Sequence, residues 1–517
     1  MNRQLFPASN PLSRVLRASD AAWQRQDFQQ SIELLERATK LNPEDPCVYL
    51  DLGRARGWRY DYNAAVRSFE KAIRVSRWHV QSFIAAGLHC VNFGQPEMGE
   101  NYFKRALQRD GRSVQVLVEL ATLQERRQNL VKAAELVGQA LAIEGKNPGA
   151  LLVLARTERG LGHLEAAEDI IRQILQQGNA DLGTRVHAWY ELGGILDRQK
   201  RFDEAMAAFL EAKRLLQPQA VKFLEKLPLN HSRLGELRDK ITAEHLRRWR
   251  QAGANLPPAC SFAVMCGHPR SGTTLLEQVL DAHPGIITAE ETTIFSTDAL
   301  HTLSRNFSEN TLALDILEAA SDETLQQARR NYLGSTEKFL GQPVGNRLLL
   351  DKNPVLNSLI PAVVRVFPEA KFIVAIRDPR DVCLSCFMQP LEVNQVSSAY
   401  LNLEDAGAQY ASVMGFWKAL QPLLENPSLE VRYEELVGDL ESVARRTLDF
   451  LGMAWDEHVL RFEEHARTKI IRSPTYADVS KPVFKTAIGR WRNYRKYLEP
   501  ALEKLDPFVK TFGYESS

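Results

Sequence analysis

Several things are scarce in this chain of 517 residues, and each scarcity excludes a class of protein. Six cysteines over such a length do not make the disulfide framework of a small secreted domain. Cys383 and Cys386 form a lone Cys-x-x-Cys with no second pair nearby. A four-cysteine zinc site is therefore unsupported, and the pair reads as two small residues on the inner face of a helix. No stretch approaches the roughly 18 uninterrupted apolar residues that a membrane helix needs. The opening Met1-Asn-Arg-Gln-Leu-Phe-Pro-Ala8 lacks the apolar core of a signal peptide. Neither sign of charge is in excess: 65 Lys and Arg against 64 Asp and Glu leave +1. Nothing general draws the chain to nucleic acid or to a membrane, and a cytoplasmic protein is expected. What is present is ordinary globular composition, 44% hydrophobic and 25% charged, in a chain too long for one core.

The first half repeats itself. Small residues recur at Ser31, Ala65, Gly99, Ala133 and Ala167, each 34 residues after the last. Four positions on stand Leu35, Phe69, Phe103, Val137 and Ile171. Three further come Ala38, Ala72, Ala106 and Ala140, with Ile174 breaking the series. A sixth unit follows a four-residue slip, with Ala205, Phe209 and Ala212 in the same roles. Twelve residues before the small position, from the second unit on, are Gly53, Gly87, Ala121, Ala155 and Gly193. Small residues let two helices approach closely, and the large one fills the gap between units. This pattern resembles the tetratricopeptide repeat, an antiparallel helix pair. The resemblance implies an all-α superhelix of about six repeats over residues 12–216, whose concave groove takes a protein or peptide partner. Residues 217–256 read as a helical connector that Asn255-Leu-Pro-Pro258 ends.

From residue 257 strand-like runs alternate with helical ones, the pattern of a parallel α/β sheet. The strand candidates are Phe262–Cys266, Arg347–Leu350, Lys371–Ile376 and Leu429–Arg432, each followed by the polar residues expected at a ligand site. The first leads into Cys266-Gly-His-Pro-Arg-Ser-Gly-Thr-Thr274 and then a helix. A strand turning tightly into a helix leaves backbone N–H groups without intrahelical partners, which is an anion site. The loop resembles the nucleotide-binding phosphate loop, Gly-x-x-x-x-Gly-Lys-[Ser/Thr]. Gly267 and Gly272 keep its spacing, but Thr273 stands in place of the lysine and the cation is inside the loop at Arg270. After the strand Lys371–Ile376 comes Arg377-Asp-Pro-Arg-Asp381, with Ser385 two turns into the next helix. An arginine and a hydroxyl aimed at one place suit a phosphate; an Arg377–Asp381 ion pair is the plain alternative.

Together, Gly-x-Pro-Arg-Ser-Gly-Thr-Thr and the downstream Arg-Asp-Pro-Arg-Asp resemble the paired signature of sulfotransferases. These enzymes use 3′-phosphoadenosine 5′-phosphosulfate (PAPS) and release PAP. The resemblance implies an α/β P-loop-like sulfotransferase domain over residues 257–517. It assigns Gly267, Arg270, Ser271, Gly272, Thr273 and Thr274 to the phosphosulfate, and Arg377 and Ser385 to the 3′-phosphate. Leu280-Asp-Ala-His-Pro284 and Ala289-Glu-Glu-Thr292 are similar to the tyrosylprotein sulfotransferases, whose catalytic base falls on Glu291, with Glu290 as the alternative. Asp351-Lys-Asn-Pro354 resembles the segment with their catalytic lysine, here Lys352. Arg432-Tyr-Glu-Glu-Leu436 places the nucleotide-contacting tyrosine at Tyr433. The later segment resembles their closing loop, implying Ser473 near the phosphosulfate and Lys481 on the 3′-phosphate side. Two departures stand out: Thr293 replaces the usual basic residue two after the base, and no stretch of this sequence reads as the membrane anchor of those enzymes, so none is expected.

The expected activity is sulfuryl transfer to a hydroxyl, with the acceptor on a protein or peptide recruited by the repeats. A carbohydrate or small-metabolite acceptor and a non-catalytic adaptor are the alternatives. No metal is expected, because cationic side chains and backbone amides can carry the charge, and His268 and His283 are isolated. The basic, aromatic run Arg490-Trp-Arg-Asn-Tyr-Arg-Lys-Tyr497 is expected to be a terminal helix near the nucleotide's phosphate side, not a nucleic-acid surface.

Overall fold

The computed structural model describes residues 10–253, 256, 260–468 and 486–515. The chain forms two compact units, Met1–His163 with Glu337–Gly341, and Leu164–Thr336 with Gln342–Ser517.

The first unit is helical: α1 (Pro11–Gln24), α2 (Phe28–Leu41), α3 (Pro46–Trp58), α4 (Tyr62–Val75), α5 (Val80–Asn92), α6 (Pro96–Arg109), α7 (Val114–Arg126), α8 (Leu130–Ile143) and α9 (Pro148–Leu161). Many starts follow local rules. Pro11, Pro46 and Pro148 open their helices, where a missing N–H costs nothing, while Asn10, Asp45 and Asn147 cap them. Successive helices pair as α1/α2, α3/α4, α5/α6 and α7/α8. Each turn inside a pair carries one left-handed residue: Gln26, Tyr60, Gly94 and Gln128, at φ 62°, 65°, 81° and 60°. The repeat therefore imposes this conformation on non-glycine residues as well.

The small and large repeat positions meet as their sizes require. A Cβ on Gly53 would lie 2.3 Å from the Phe69 ring, and one on Gly87 2.5 Å from the Phe103 ring. Where the large position is Val137, the earlier position is Ala121, and both are fully buried. Glycine accompanies phenylalanine; alanine accompanies the smaller side chain.

The second unit holds α10 (Leu164–Gln176), the last hairpin α11 (Leu182–Arg198) and α12 (Phe202–Leu224), and the connector helices α13 (Leu227–Lys240) and α14 (Ala243–Gly253). Its last hairpin repeats the same packing, with a Cβ on Gly193 falling 2.6 Å from the Phe209 ring. The connector lies on the α/β part, where Trp249 Nε1 donates to Glu318 Oε1 at 2.7 Å.

Five strands form one parallel sheet: β1 (Phe262–Gly267), β2 (Ile286–Glu290), β3 (Leu348–Lys352), β4 (Lys371–Ile376) and β5 (Ser428–Arg432). Their order is β2-β3-β1-β4-β5. All of β1 and β3 is buried, which explains the apolar runs Phe262–Cys266 and Leu348–Leu350. The strand β2 is absent from the sequence expectation; its only signal is Ile286-Ile-Thr288 between Gly285 and the acidic pair. The chain leaves β1 toward β2 on one side, whereas β4 leads to β5 on the other. The crevice between the carboxyl ends of β1 and β4 is therefore the switch point where such sheets bind ligands.

Candidate active site

The loop after β1 is shaped by two glycines that no other residue can replace. Gly267 sits at φ 132° and Gly272 at φ 93°. A Cβ on Gly267 would fall 2.5 Å from the Ala375 carbonyl oxygen of β4, and one on Gly272 would fall 2.6 Å from the Tyr433 ring. Arg270 is also left-handed, at φ 71°, a strained setting for a side chain. His268 anchors the loop from below. It is fully buried, packs on Tyr410 with ring centroids 5.0 Å apart, and burial lowers its pKa to about 4. It is thus a neutral packing residue. Helix α15 (Thr273–Asp281) begins at Gly272 with no side-chain cap, so its first-turn dipole and amides face the crevice.

The helix after β4, Pro379–Phe387, differs. Asp378 caps it, accepting from Arg380 N at 2.9 Å. Side chains dominate this end instead. Arg270 Nε donates to Ser385 Oγ at 3.0 Å, and Arg377 Nη1 donates to the Arg270 carbonyl at 3.1 Å. The two loops are thus joined by their own residues. Arg377 lies 4.6 Å from the centre of the Tyr433 ring, which brings Tyr433 over both loops. Among the described residues the buried Nε of Arg377 has no hydrogen-bond partner, a donor still available to an anion. The plain alternative, an Arg377–Asp381 pair, is stretched to 4.0 Å. Asp381 accepts instead from Gly489 N at 2.7 Å and Trp491 N at 2.8 Å.

Beside the loops, the ends of β2 and β3 bring Lys352 and the acidic pair together. Glu290 is opposite Lys352 in the ladder. Glu291 follows at φ 47°, its N–H donating to the Lys352 carbonyl at 2.7 Å. It is therefore a strand-end residue, not a first-turn helix carboxylate. Lys352 Nζ lies 2.7 Å from Glu291 Oε1, 3.5 Å from Glu290 Oε1 and 3.4 Å from Thr274 Oγ1. The Glu290 side chain is 14% exposed and that of Glu291 38%, so Glu291 is the carboxylate that an incoming group can reach. Lys352 itself is fully buried. Burial works against its charge, but Glu291, Glu290 and Glu277 outweigh it and raise its pKa.

Behind Lys352 lies Glu277, which the sequence reading did not single out. Burial, then the charge of Glu290, pushes its pKa up to about 8. Thr288 Oγ1 lies 2.7 Å from Glu277 Oε1 and 2.9 Å from Asp281 Oδ1, one hydroxyl proton between two buried carboxyls. On the opposite face of β3, Asp351 accepts from Tyr332 OH at 2.7 Å, and burial pushes its pKa up to about 7. Cys383 and Cys386 are buried free thiols on the inner side of their helix; burial pushes the Cys386 thiol up to about 12.

The structure thus brings together Gly267, Arg270, Ser271, Gly272, Thr273, Thr274, Arg377, Ser385 and Tyr433, with Lys352 and Glu291 beside them. Ser473 and Lys481 lie outside the described residues. Within the basic run, Arg490 reaches Asp197 at 2.8 Å and Lys496 reaches Asp203. These two charges turn to the last hairpin, Arg492 faces Glu515, and the backbone of Gly489 and Trp491 meets Asp381.

Such a chain is a helical repeat array joined to a parallel α/β unit with two facing loops at its switch point. Residues 263–457 match the sulfotransferase family, and 16–56, 126–183 and 186–215 match tetratricopeptide repeats. The chain therefore carries tetratricopeptide repeats and a sulfotransferase-family domain. It is 30% identical over 241 residues to protein-tyrosine sulfotransferase 1 of Danio rerio, covering 44% of this chain and 64% of that one. The human protein-tyrosine sulfotransferase 1 is 29% identical over 286 residues, covering 50% and 73%. An uncharacterized protein of Aquifex aeolicus is 25% identical over 405 residues, covering 76% of this chain and 50% of its own. The chain spans half to somewhat under two thirds of the length of the first two curated relatives it matches. Among solved structures, the sulfotransferase domain of the Synechococcus PCC 7002 olefin synthase superposes with a TM-score of 0.37 at 22% identity, covering 51% of this chain and 97% of that one. Among the described residues no helix is long and apolar enough to cross a membrane.

Proposed function

We propose that this chain transfers a sulfuryl group from PAPS to an acceptor hydroxyl, and that the acceptor belongs to a protein or peptide recruited by the repeats. The observation that carries the reading is the junction of the two loops, with Arg270 on Ser385 and Arg377 on the Arg270 carbonyl. A ligand with anionic groups at two places, 5′-phosphosulfate and 3′-phosphate, suits that pairing. The residues fit it: an uncapped helix start, glycines at the two tightest points, and a buried Arg377 Nε without a partner among the described residues.

In this reading the loop Gly267–Thr274 holds the phosphosulfate, Arg377 and Ser385 hold the 3′-phosphate, and Tyr433 packs across both. Glu291 takes the proton of the acceptor hydroxyl as its oxygen bonds to sulfur and the bond from sulfur to the phosphate oxygen breaks. Arg270 and Lys352 offset charge on the leaving phosphate and the sulfuryl oxygens, an electrostatic role fixed before reaction. Lys352 touches both Glu291 and Thr274, so one cation orients the base and borders the loop. Cationic side chains and helix amides supply what a metal supplies elsewhere, and release of PAP completes the cycle.

One observation favours a different acceptor. Thr293 is exposed where tyrosylprotein relatives usually have a basic residue that helps hold acidic substrate, which suits an acceptor without acidic neighbours, such as a neutral carbohydrate. Incubation with labelled PAPS and a cell lysate separates the readings. Label is expected in protein; label in small molecules instead would move the acceptor, and none in either would favour an adaptor. Glu291→Gln should lower turnover by about 10²–10⁴-fold while PAP binding stays near wild type. Undiminished turnover in that variant would sink the assignment of the base.

A further inference from the structure

The last repeat hairpin belongs to the same compact unit as the sheet, and one short segment connects it to the second anion loop. At one end of this segment Asp197 of α11 receives Arg490, at 3.2 Å from Nε and 2.8 Å from Nη2, and Tyr494 OH at 2.6 Å. The Tyr494 ring stands edge-on to Phe202 of α12, 5.5 Å between centroids. At the other end Gly489 N and Trp491 N donate to Asp381, and Arg380 stacks 3.9 Å from the centre of the Trp491 ring. Arg377 Nη2 donates to the Ala487 carbonyl at 2.6 Å. A second contact joins the same elements: Lys213 of α12 lies 4.8 Å from the centre of the Phe387 ring, on the helix that carries Ser385.

We propose that Asp197, a residue of the repeats, is a positioning residue for the donor nucleotide. By fixing Arg490 and Tyr494 it sets Ala487 and Gly489 against Arg377 and Asp381. That placement occupies both oxygens of Asp381 with backbone amides and keeps the Arg377 guanidinium turned to the crevice. Without it Asp381 is released, and Arg377, already 4.0 Å away, closes on it as an ion pair. An arginine so neutralised holds a phosphate poorly. The inference rests on reading Arg377 and Ser385 as the 3′-phosphate site.

The test is calorimetric titration of PAP into the full chain as wild type, Asp197→Asn, Arg490→Gln and Asp203→Asn. Asp203 makes a comparable contact to Lys496 and Tyr497 on the exposed surface, away from Asp381. Asp197→Asn and Arg490→Gln should each weaken PAP about tenfold, their combination no further, and Asp203→Asn less than twofold. KM for PAPS should rise in parallel while kcat at saturating PAPS stays within about threefold of wild type. PAP affinity within twofold of wild type in Asp197→Asn, or an equal loss in Asp203→Asn, would overturn the proposal. Should Asp197→Asn lack a cooperative unfolding transition, Arg490→Gln and Tyr494→Phe decide by the same thresholds. A wild type that does not bind PAP would instead strike the donor reading itself.

Discussion

Lys352 carries its charge among three carboxyl groups, more than one ammonium can pair, and that surplus sets the behaviour of the site at the scale of single residues. With Glu291 and Glu290 paired to the ammonium, Glu277 has no cation of its own and keeps a proton to about pH 8. The unfolded chain releases that proton near the usual glutamate value of about 4.5. The native state thus binds the extra proton across this window, so its contribution to stability is full below about pH 4.5 and is lost as pH rises toward 8. Glu277→Gln keeps the shape without the titration. Its midpoint of urea unfolding should fall less than that of wild type between pH 5 and pH 8, and equal falls would count against a buried proton. Glu291 and Lys352 could be picked out by resemblance to known motifs. Glu277 could not, because a glutamate one turn into a helix looks like any solvated residue until the sheet buries it.

Between elements, the fit of small against large residues decides the packing. Gly87→Ala forces a Cβ to within 2.5 Å of the Phe103 ring and should cost about 1–3 kcal/mol by overpacking. Adding Phe103→Val reproduces the neighbouring Ala121 and Val137 combination and should recover most of that loss in thermal denaturation. A double variant no more stable than Gly87→Ala alone would show that the pairing is incidental. The register of the repeats was legible because five units keep one period without gaps. Their left-handed turns were not: glutamine and tyrosine occupy positions where glycine would have announced the conformation. Strand β2 escaped for a related reason, since five residues, Ile-Ile-Thr-Ala-Glu, carry too little apolar alternation to be told from a loop.

At the scale of the molecule, the last hairpin stands with the sheet and not with the earlier repeats. A chain beginning at Leu164 retains Asp197, Asp203 and Lys213, whereas one beginning at Ser261 loses all three along with the connector. The first should bind PAP within about threefold of the full chain, and the second should bind at least tenfold more weakly. Calorimetry on the two truncations checks this. Labelling of a protein acceptor should fall in both if the earlier repeats recruit it, and equal labelling with and without them would count against recruitment.

The sequence by itself determined what local chemistry can encode: a 34-residue period, a strand-turn-helix loop with its glycines and its displaced cation, and a second arginine loop downstream. Each is a pattern of residue types within a few turns of chain, and each survives in the structure. Only the tertiary structure decided how distant segments share partners. It placed the ends of β1 and β4 side by side so that Arg270 reaches Ser385, and it gave Asp381 to the backbone at residues 489 and 491 in place of Arg377. It also aimed the basic run at Asp197 and Asp203. Which of several charged neighbours an arginine or aspartate takes depends on burial and geometry across hundreds of residues, and no local pattern records that choice.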